Sequence, residues 1–286
     1  MANQSILGGN RLKDLELRYF AHEYTKDENG WIKFPSDQSY RKGIFPLEVN
    51  QHPAKANVFL VQSIIEYVSE PGDTILDCMA GTGTIMVGAL IGREVVCVEI
   101  SEKFHNLQLR AVEQMESIAP GVSEHITCIN LPCQTFLPIP NFANHIIFSP
   151  QYAGILKKGE NYRETDRLTR EKQGSYDFSE YSKSSLNLGT MSEFLWKQEM
   201  GKVYKKCYDT LTTPGSMTLI TKDHIDSGER VGLTQMAIDT CTNIGFKYNP
   251  IEHFKWKTHS MAYTNIRASK GLEVVWDEDI VMLRKL

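Results

Sequence analysis

The sequence lacks a long apolar run. No stretch of its 286 residues approaches the roughly 18 apolar residues of a membrane span, and Met1–Asn10 has neither the charged start nor the apolar middle of a secretory leader. A cytoplasmic protein is the expectation. Positive charge is not in excess: the formal net charge of -4 argues against a surface that coats phosphates generally, so any nucleic-acid face must be local. The six cysteines, at 78, 97, 128, 133, 207 and 241, form no C-x-x-C pair and have no histidines at zinc-type spacing, which predicts reduced, packed thiols and no metal site. Neither G-x-G-x-x-G nor a Gly-Lys-Ser or Gly-Lys-Thr phosphate loop occurs.

What is present from residue 74 onward is an alternation of short β-rich apolar runs with longer amphipathic segments, the pattern of a parallel sheet covered by helices. Strands are expected at Thr74–Cys78, Glu94–Ile100, His125–Asn130, Asn144–Ser149, Ser216–Thr221, Phe246–Trp256 and Asp279–Arg284. Seven strands fit one doubly wound α/β domain. Helices are expected at Val58–Ser69, Thr84–Ile91, Ser101–Ser117, Ser192–Leu211 and Val231–Asn243, the last closed by Gly245. Pro214-Gly215 reads as the turn from a helix into the next strand. Residues 1 to 50 are polar and aromatic without clear periodicity and read as an N-terminal extension. Within the main domain, 51 to 286, residues 155 to 190 are dense in charge, Ser, Tyr and Gly and read as an exposed, mobile insertion.

The strongest local signal is Asp77-Cys-Met-Ala-Gly81-Thr-Gly83-Thr84, placed after an apolar strand and opening a helix. Glycines let the backbone approach a ligand, and a helix start offers free N–H groups. Glu99 ends the next strand 22 residues after Asp77, where a carboxylate can accept both hydroxyls of a ribose. On its own such a turn also suits NAD or a tight βα loop that binds nothing.

The surrounding residues narrow this. His52-Pro53-Ala54-Lys55-Ala56-Asn57, a helix, Pro71-Gly72-Asp73, Ile75-Leu76-Asp77 and Gly81-Thr82-Gly83-Thr84 resemble, in order, the joined motifs X and I of the DNA amino-methyltransferases, the cytosine-N4 and adenine-N6 enzymes. The resemblance implies a Rossmann-like seven-stranded methyltransferase sheet, mostly parallel, with helices on both faces, and S-adenosyl-L-methionine as cofactor. It places Asp77, Gly81 and Gly83 at the methionine end of that cofactor and Glu99 at its ribose. Met79, Ala80, Thr84 and Ile100 lie beside them, with Lys55 and Asn57 nearby. The acidic residue that often follows the third strand in this family has no counterpart, since the chain there reads Asn130-Leu-Pro-Cys133.

The fourth strand runs into Ser149-Pro150-Gln151-Tyr152, similar to the family's (Asp/Asn/Ser)-Pro-Pro-(Tyr/Phe/Trp) motif. An exocyclic amine is a poor nucleophile because its lone pair is delocalised into the ring. The site must therefore accept its N–H hydrogens, and the resemblance gives that task to Ser149 Oγ and the Pro150 carbonyl. Tyr152 would stack on a base flipped out of the duplex. Gln151 replaces the usual second proline and loosens the turn. The serine slightly favours cytosine N4 over adenine N6.

Pro132-Cys133-Gln134 resembles instead the nucleophile motif of cytosine-C5 methyltransferases, but the Glu-Asn-Val and Gln-Arg-Arg segments that chemistry needs are missing. Lys157, Lys158 and Arg163, with Arg167, Arg170, Lys172 and Tyr162, Tyr176 and Tyr181, follow the catalytic turn and suit phosphate contact and stacking; Glu160, Glu164, Asp166 and Glu171 equally suit a solvated loop. Lys247, His253, Lys255, Lys257, His259 and Arg267 are a second basic group for the same cleft. The expected partner is double-stranded DNA with Gln151, Lys157, Lys158 and Arg163 on its side of the site. A cognate restriction endonuclease and a homodimer are further candidates. An RNA base as acceptor, and a catalytically weak nucleic-acid-binding subunit of the same fold, remain alternatives.

Overall fold

The computed structural model describes residues 19–51, 55–151, 184–226, 229–258, 265 and 268–286. The chain enters through helix α1 (Gln38–Ile44) and helix α2 (Val58–Val68). Strand β1 (Thr74–Asp77), a 3-10 segment over Thr84–Ile91, β2 (Glu94–Glu99), α3 (Glu102–Ile118), β3 (Ile126–Asn130) and β4 (Ala143–Phe148) follow. After the described chain resumes come α4 (Glu193–Thr210), β5 (Leu211–Thr221), a small hairpin of β6 (His224–Asp226) and β7 (Glu229–Val231), α5 (Leu233–Ile244), β8 (Lys247–Lys257) and β9 (Asp277–Lys285).

Seven strands form one sheet in the order β3-β2-β1-β4-β5-β9-β8. Only β9 runs antiparallel to its neighbours β5 and β8; β1 through β5 pair in parallel. The expected Rossmann-like α/β sheet is therefore present. Side chains alternate across it as a period of two requires. Ile75, Val95, Cys97 and Ile147 face the layer of α2 and α3, while Leu76, Val96, Val98 and Phe148 face that of α4 and α5. Strands covered on both faces are continuous apolar runs, as Val95–Val98 illustrates. On α3 the buried positions Phe104, Leu107, Gln108, Ala111 and Met115 follow the helical spacing and make one inward stripe.

One strand boundary and one helix type differ from expectation. Pro214-Gly215 does not precede a strand but lies inside β5, which begins at Leu211. A Cβ at Gly215 would stand 2.6 Å from the Thr212 carbonyl oxygen and 3.0 Å from that of Asn144, so glycine here permits a close backbone approach. The β4–β5 register shifts at the same level, between Ala143 and His145. Thr84–Ile91 is 3-10 rather than α-helical. Its Gly88 sits where a Cβ would come within 3.2 Å of both Val95 and Ile65 side chains, a packing tight enough to set the local winding.

The described part of the segment read as an extension, residues 19–50, packs into the main core. Phe20, Ile32, Phe34, Ile44, Phe45 and Val49 are all buried in the α2–α3 layer, and Ile32 bridges to Trp256 beside the edge strand β8. No helix among the described residues is long and apolar enough to cross a membrane.

Candidate active site

In an open sheet of this order the strand sequence reverses between β1 and β4, and a crevice opens at the carboxyl ends there. The structure has a cleft at that place, lined by Lys55 and Ala56 before α2, Asp77 to Thr82 and Thr84 after β1, Glu99 and Ile100 after β2, Cys133 and Gln134 after β3, Ser149 to Gln151 after β4, and Leu186 to Leu188.

The turn after β1 is held from several sides. Ala80 N–H donates to the Val98 carbonyl at 3.0 Å and Gly83 N–H to the Ala80 carbonyl at 2.8 Å. Gly81 is clamped at both ends of its residue. Its N–H donates to Glu99 Oε2 at 2.8 Å, and its carbonyl accepts from Gln108 Nε2 at 2.7 Å. Gly81 and Gly83 have φ of 54° and 81°, a left-handed backbone that glycine adopts at no steric cost.

The two carboxylates are electrostatically unusual. Asp77 is pushed up to about 7, chiefly by burial and also by the neighbouring Glu99, although its Oδ1 accepts the Met79 N–H at 2.9 Å. Glu99 is likewise pushed up to about 7 by burial, against the N–H groups of Ser101 and Gly81 that favour its charged form. Backbone N–H groups hold both Glu99 oxygens, Ser101 on Oε1 at 2.7 Å and Gly81 on Oε2, with Ile100 adding to them. A carboxylate oxygen has room for two, so further donors can be accepted from the cleft. Such a pair suits a ligand that brings positive charge to Asp77 and hydroxyl donors to Glu99. Lys55 adds a cation at the same cleft, its ammonium held below the ordinary lysine range by burial and by Arg41.

Of the residues singled out in the sequence, Lys55, Asp77, Met79, Ala80, Gly81, Thr84, Glu99, Ile100, Ser149, Pro150 and Gln151 line this one cleft. Asn57 and Gly83 do not. Asn57 is buried as the cap of α2, its Oδ1 accepting from Phe59 and Leu60 N–H and its Nδ2 donating to the Pro35 carbonyl. A Cβ on Gly83 would meet Met86 rather than the cleft. His52, Tyr152, Lys157, Lys158 and Arg163, like the other basic and aromatic residues up to Tyr181, lie outside the described residues. The second basic group is not at the cleft: Lys255 pairs with Asp277 and Asp279, His253 with Asp279, and Lys257 with Asp27. His259 and Arg267 are outside the described residues.

Cys133 does line the cleft, but its thiol is raised well above the ordinary cysteine range by the adjacent Cys78 thiol and by burial. A thiol kept protonated is a poor nucleophile. Four contributors carried no sequence signal. Arg41, Gln108 and Trp196 reach the site through tertiary contacts, and Leu186–Leu188 form a wall at the end of the segment read as a loop.

Residues 12–110 match the DNA methylase family that joins the N6 and N4 enzymes. A 65-residue stretch is 37% identical to the type II methyltransferase M.BglI of Bacillus subtilis; it is 22% of this chain and 19% of that protein, so the match spans about a fifth of the relative's length. Among solved structures, the [4+2]-cyclase SpnF superposes with a TM-score of 0.52 at 12% identity, covering 85% of this chain and 86% of that one. TrmN from Thermus thermophilus gives a TM-score of 0.47 at 16% identity over 82% of this chain and 50% of that one. At 12% identity the likeness to SpnF is one of fold alone.

Proposed function

We propose that this chain is a DNA amino-methyltransferase with S-adenosyl-L-methionine as its cofactor, a reading supported by the family match over residues 12–110, and that it methylates an exocyclic amino group of a base flipped out of DNA, with cytosine N4 slightly favoured over adenine N6. The observation that carries the reading is that the two halves of the chemistry share one cleft. Asp77, Gly81 and Glu99 stand on one side of the β1–β4 switch point and Ser149, Pro150 and Gln151 on the other.

The cofactor supplies a methyl group on a sulfonium, an electrophile that needs no metal. Asp77 would face its cationic end, Glu99 would accept its ribose hydroxyls, and Ile100 and Met79 would give apolar walls. The Gly81 peptide lets the backbone lie close. Lys55 offers a donor for a carboxylate. On the acceptor side, Ser149 Oγ and the Pro150 carbonyl accept the amine N–H hydrogens and turn its lone pair towards the methyl. Tyr152 stacks on the flipped base, and Lys157, Lys158 and Arg163 contact its phosphates. Cys133 remains a protonated bystander. A cognate restriction endonuclease and a second copy of the chain are partners this reading admits.

The test is transfer of labelled methyl from the cofactor to mixed-sequence DNA and RNA, followed by nucleoside mass spectrometry. N4-methylcytosine or N6-methyladenine in DNA is expected. Label confined to RNA would move the substrate, and 5-methylcytosine would overturn the amine mechanism. Asp77→Ala is expected to lose cofactor affinity, whereas Tyr152→Ala keeps it and loses turnover.

A further inference from the structure

Gln151 follows Pro150 at a position where the resembling motif carries a second proline. Proline would fix φ near -65°; glutamine leaves it free. The ladder that holds β4 reaches Phe148, paired with Leu219, and the chain leaves the sheet just where Ser149 and Pro150 must present their acceptors. At that point the Gln151 carbonyl accepts a hydrogen bond from Trp196 Nε1 at 2.5 Å. An indole has a single donor, and here it reaches 45 residues along the sequence to a backbone oxygen. Trp196 is itself buried and anchored by its helix. It is 3% exposed, its own N–H donates to the Ser192 carbonyl at 2.8 Å in the first turn of α4, and Ser192 Oγ caps that turn through Leu195 N–H. It packs with Phe148, Leu188 and Met200 in the α4–α5 layer, and it does not line the cleft.

We propose that Trp196 is a positioning residue for the Ser149–Gln151 turn, its indole N–H supplying the rigidity that a proline at 151 would otherwise give. The proposal rests on the amino-methyltransferase reading for its kinetic consequence, though not for its structural one.

The test is a double-mutant cycle with W196F, Q151P and the combination. Turnover, cofactor Kd and hydrogen exchange of a peptide covering 146–151 are measured on the full chain. W196F is expected to lower kcat about 10- to 100-fold, the scale of a misplaced reacting group. Cofactor Kd should change less than about threefold, because Trp196 lies off the cleft, and exchange across 146–151 should rise. In the Q151P background the same W196F change should cost less than about threefold in kcat, since proline holds the turn without the indole. Replacement of Trp196 by β-(3-benzothienyl)alanine, which puts sulfur in place of the N–H at nearly unchanged volume, should reproduce the W196F loss without opening a cavity. An equal fold-loss in both backgrounds, or unchanged exchange and turnover on removing the donor, overturns the proposal. Exchange that responds as stated in a protein that methylates no nucleic acid would keep the brace and remove the amino-methyltransferase reading.

Discussion

Arg41 Nη1 donates to Thr84 Oγ1 at 3.1 Å, joining positions 43 residues apart. The guanidinium is only 1% exposed, and its Nη2 reaches the Ala56 carbonyl and Asp37 Oδ2, both at 2.6 Å. The same Asp37 oxygen accepts the Val58 N–H at 2.9 Å. One planar fork thus ties α1, the entry to α2 and the start of the 3-10 segment together, and Ala56 and Thr84 are both walls of the cleft. Lysine cannot reproduce this, since it is a point charge without a fork.

Removing Arg41 leaves the half-buried Asp37 carboxylate without its cation, and the Ala56 carbonyl and Thr84 hydroxyl without their donor. Arg41→Ala is therefore expected to lower unfolding free energy by about 1.5–3 kcal/mol, read from denaturant midpoints. Cofactor Kd should rise about tenfold because Ala56 and Thr84 lose their common anchor. Arg41→Lys should recover part of the stability and little of the affinity. An Arg41→Ala protein with an unchanged midpoint would show that the fork carries no stability.

Asp77 and Glu99 are expected to make the stability of the ligand-free protein and its affinity for the proposed cofactor pH-dependent in opposite senses. Their ordinary values are 3.8 and 4.5, and the fold pushes both up to about 7. Between those limits the folded chain binds more protons than the unfolded one, so these two groups destabilise the ligand-free fold as pH rises towards 7, and that loss is reversed as pH falls towards 4.5. A cationic ligand at Asp77 favours the carboxylate and expels its proton. Affinity should accordingly tighten as pH rises through about 7. Calorimetric titration near pH 6.5, in two buffers of different ionisation enthalpy, should show proton release, and Asp77→Asn should reduce it. A binding enthalpy independent of the buffer would contradict the linkage.

The sheet was legible because its central strands are apolar runs bounded by turn residues, and Val95–Val98 could scarcely be anything but a strand covered on both faces. That Asp77, Gly81 and Thr84 share one cleft was legible for a related reason: a strand, a glycine turn and a helical start are contiguous. What could not be read acts across sequence. Gln108 reaches Gly81 over 27 residues, Arg41 reaches Thr84 over 43 and Trp196 reaches Gln151 over 45; no periodicity encodes such pairs. Pro214-Gly215 was misread because Gly and Pro usually punctuate, whereas here glycine admits the Asn144 carbonyl within a strand. Asn57 caps α2, and an Asn before an apolar run is a helix-cap signal in its own right, beside the place near the cofactor that the motif resemblance gave it.

The N-terminal segment gives the sharpest test of how the core is shared. Ile32 N–H donates to the Lys255 carbonyl and its own carbonyl accepts from Lys257 N–H, both at 2.9 Å, so the segment docks along the outer edge of β8. Phe34 follows it inward, edge-on to Trp256 with ring centroids 5.9 Å apart and 4.7 Å from the ring of Tyr24. Truncating a buried phenylalanine costs about 3–5 kcal/mol, against about 5–15 kcal/mol for a whole domain. Phe34→Ala should therefore unfold at clearly lower denaturant, while Ile251→Ala, at a side chain 79% exposed on β8, should stay within about 0.5 kcal/mol. Because the proposed cofactor site lies at the β1–β4 switch point and Phe34 packs at the β8 edge, the remaining folded fraction should bind ligand normally. Cofactor at about 100 times its Kd should then return about 2.7 kcal/mol to both variants alike. Equal stability of Phe34→Ala and the parent chain would mean that residues 19–49 merely lie against a core that is complete without them.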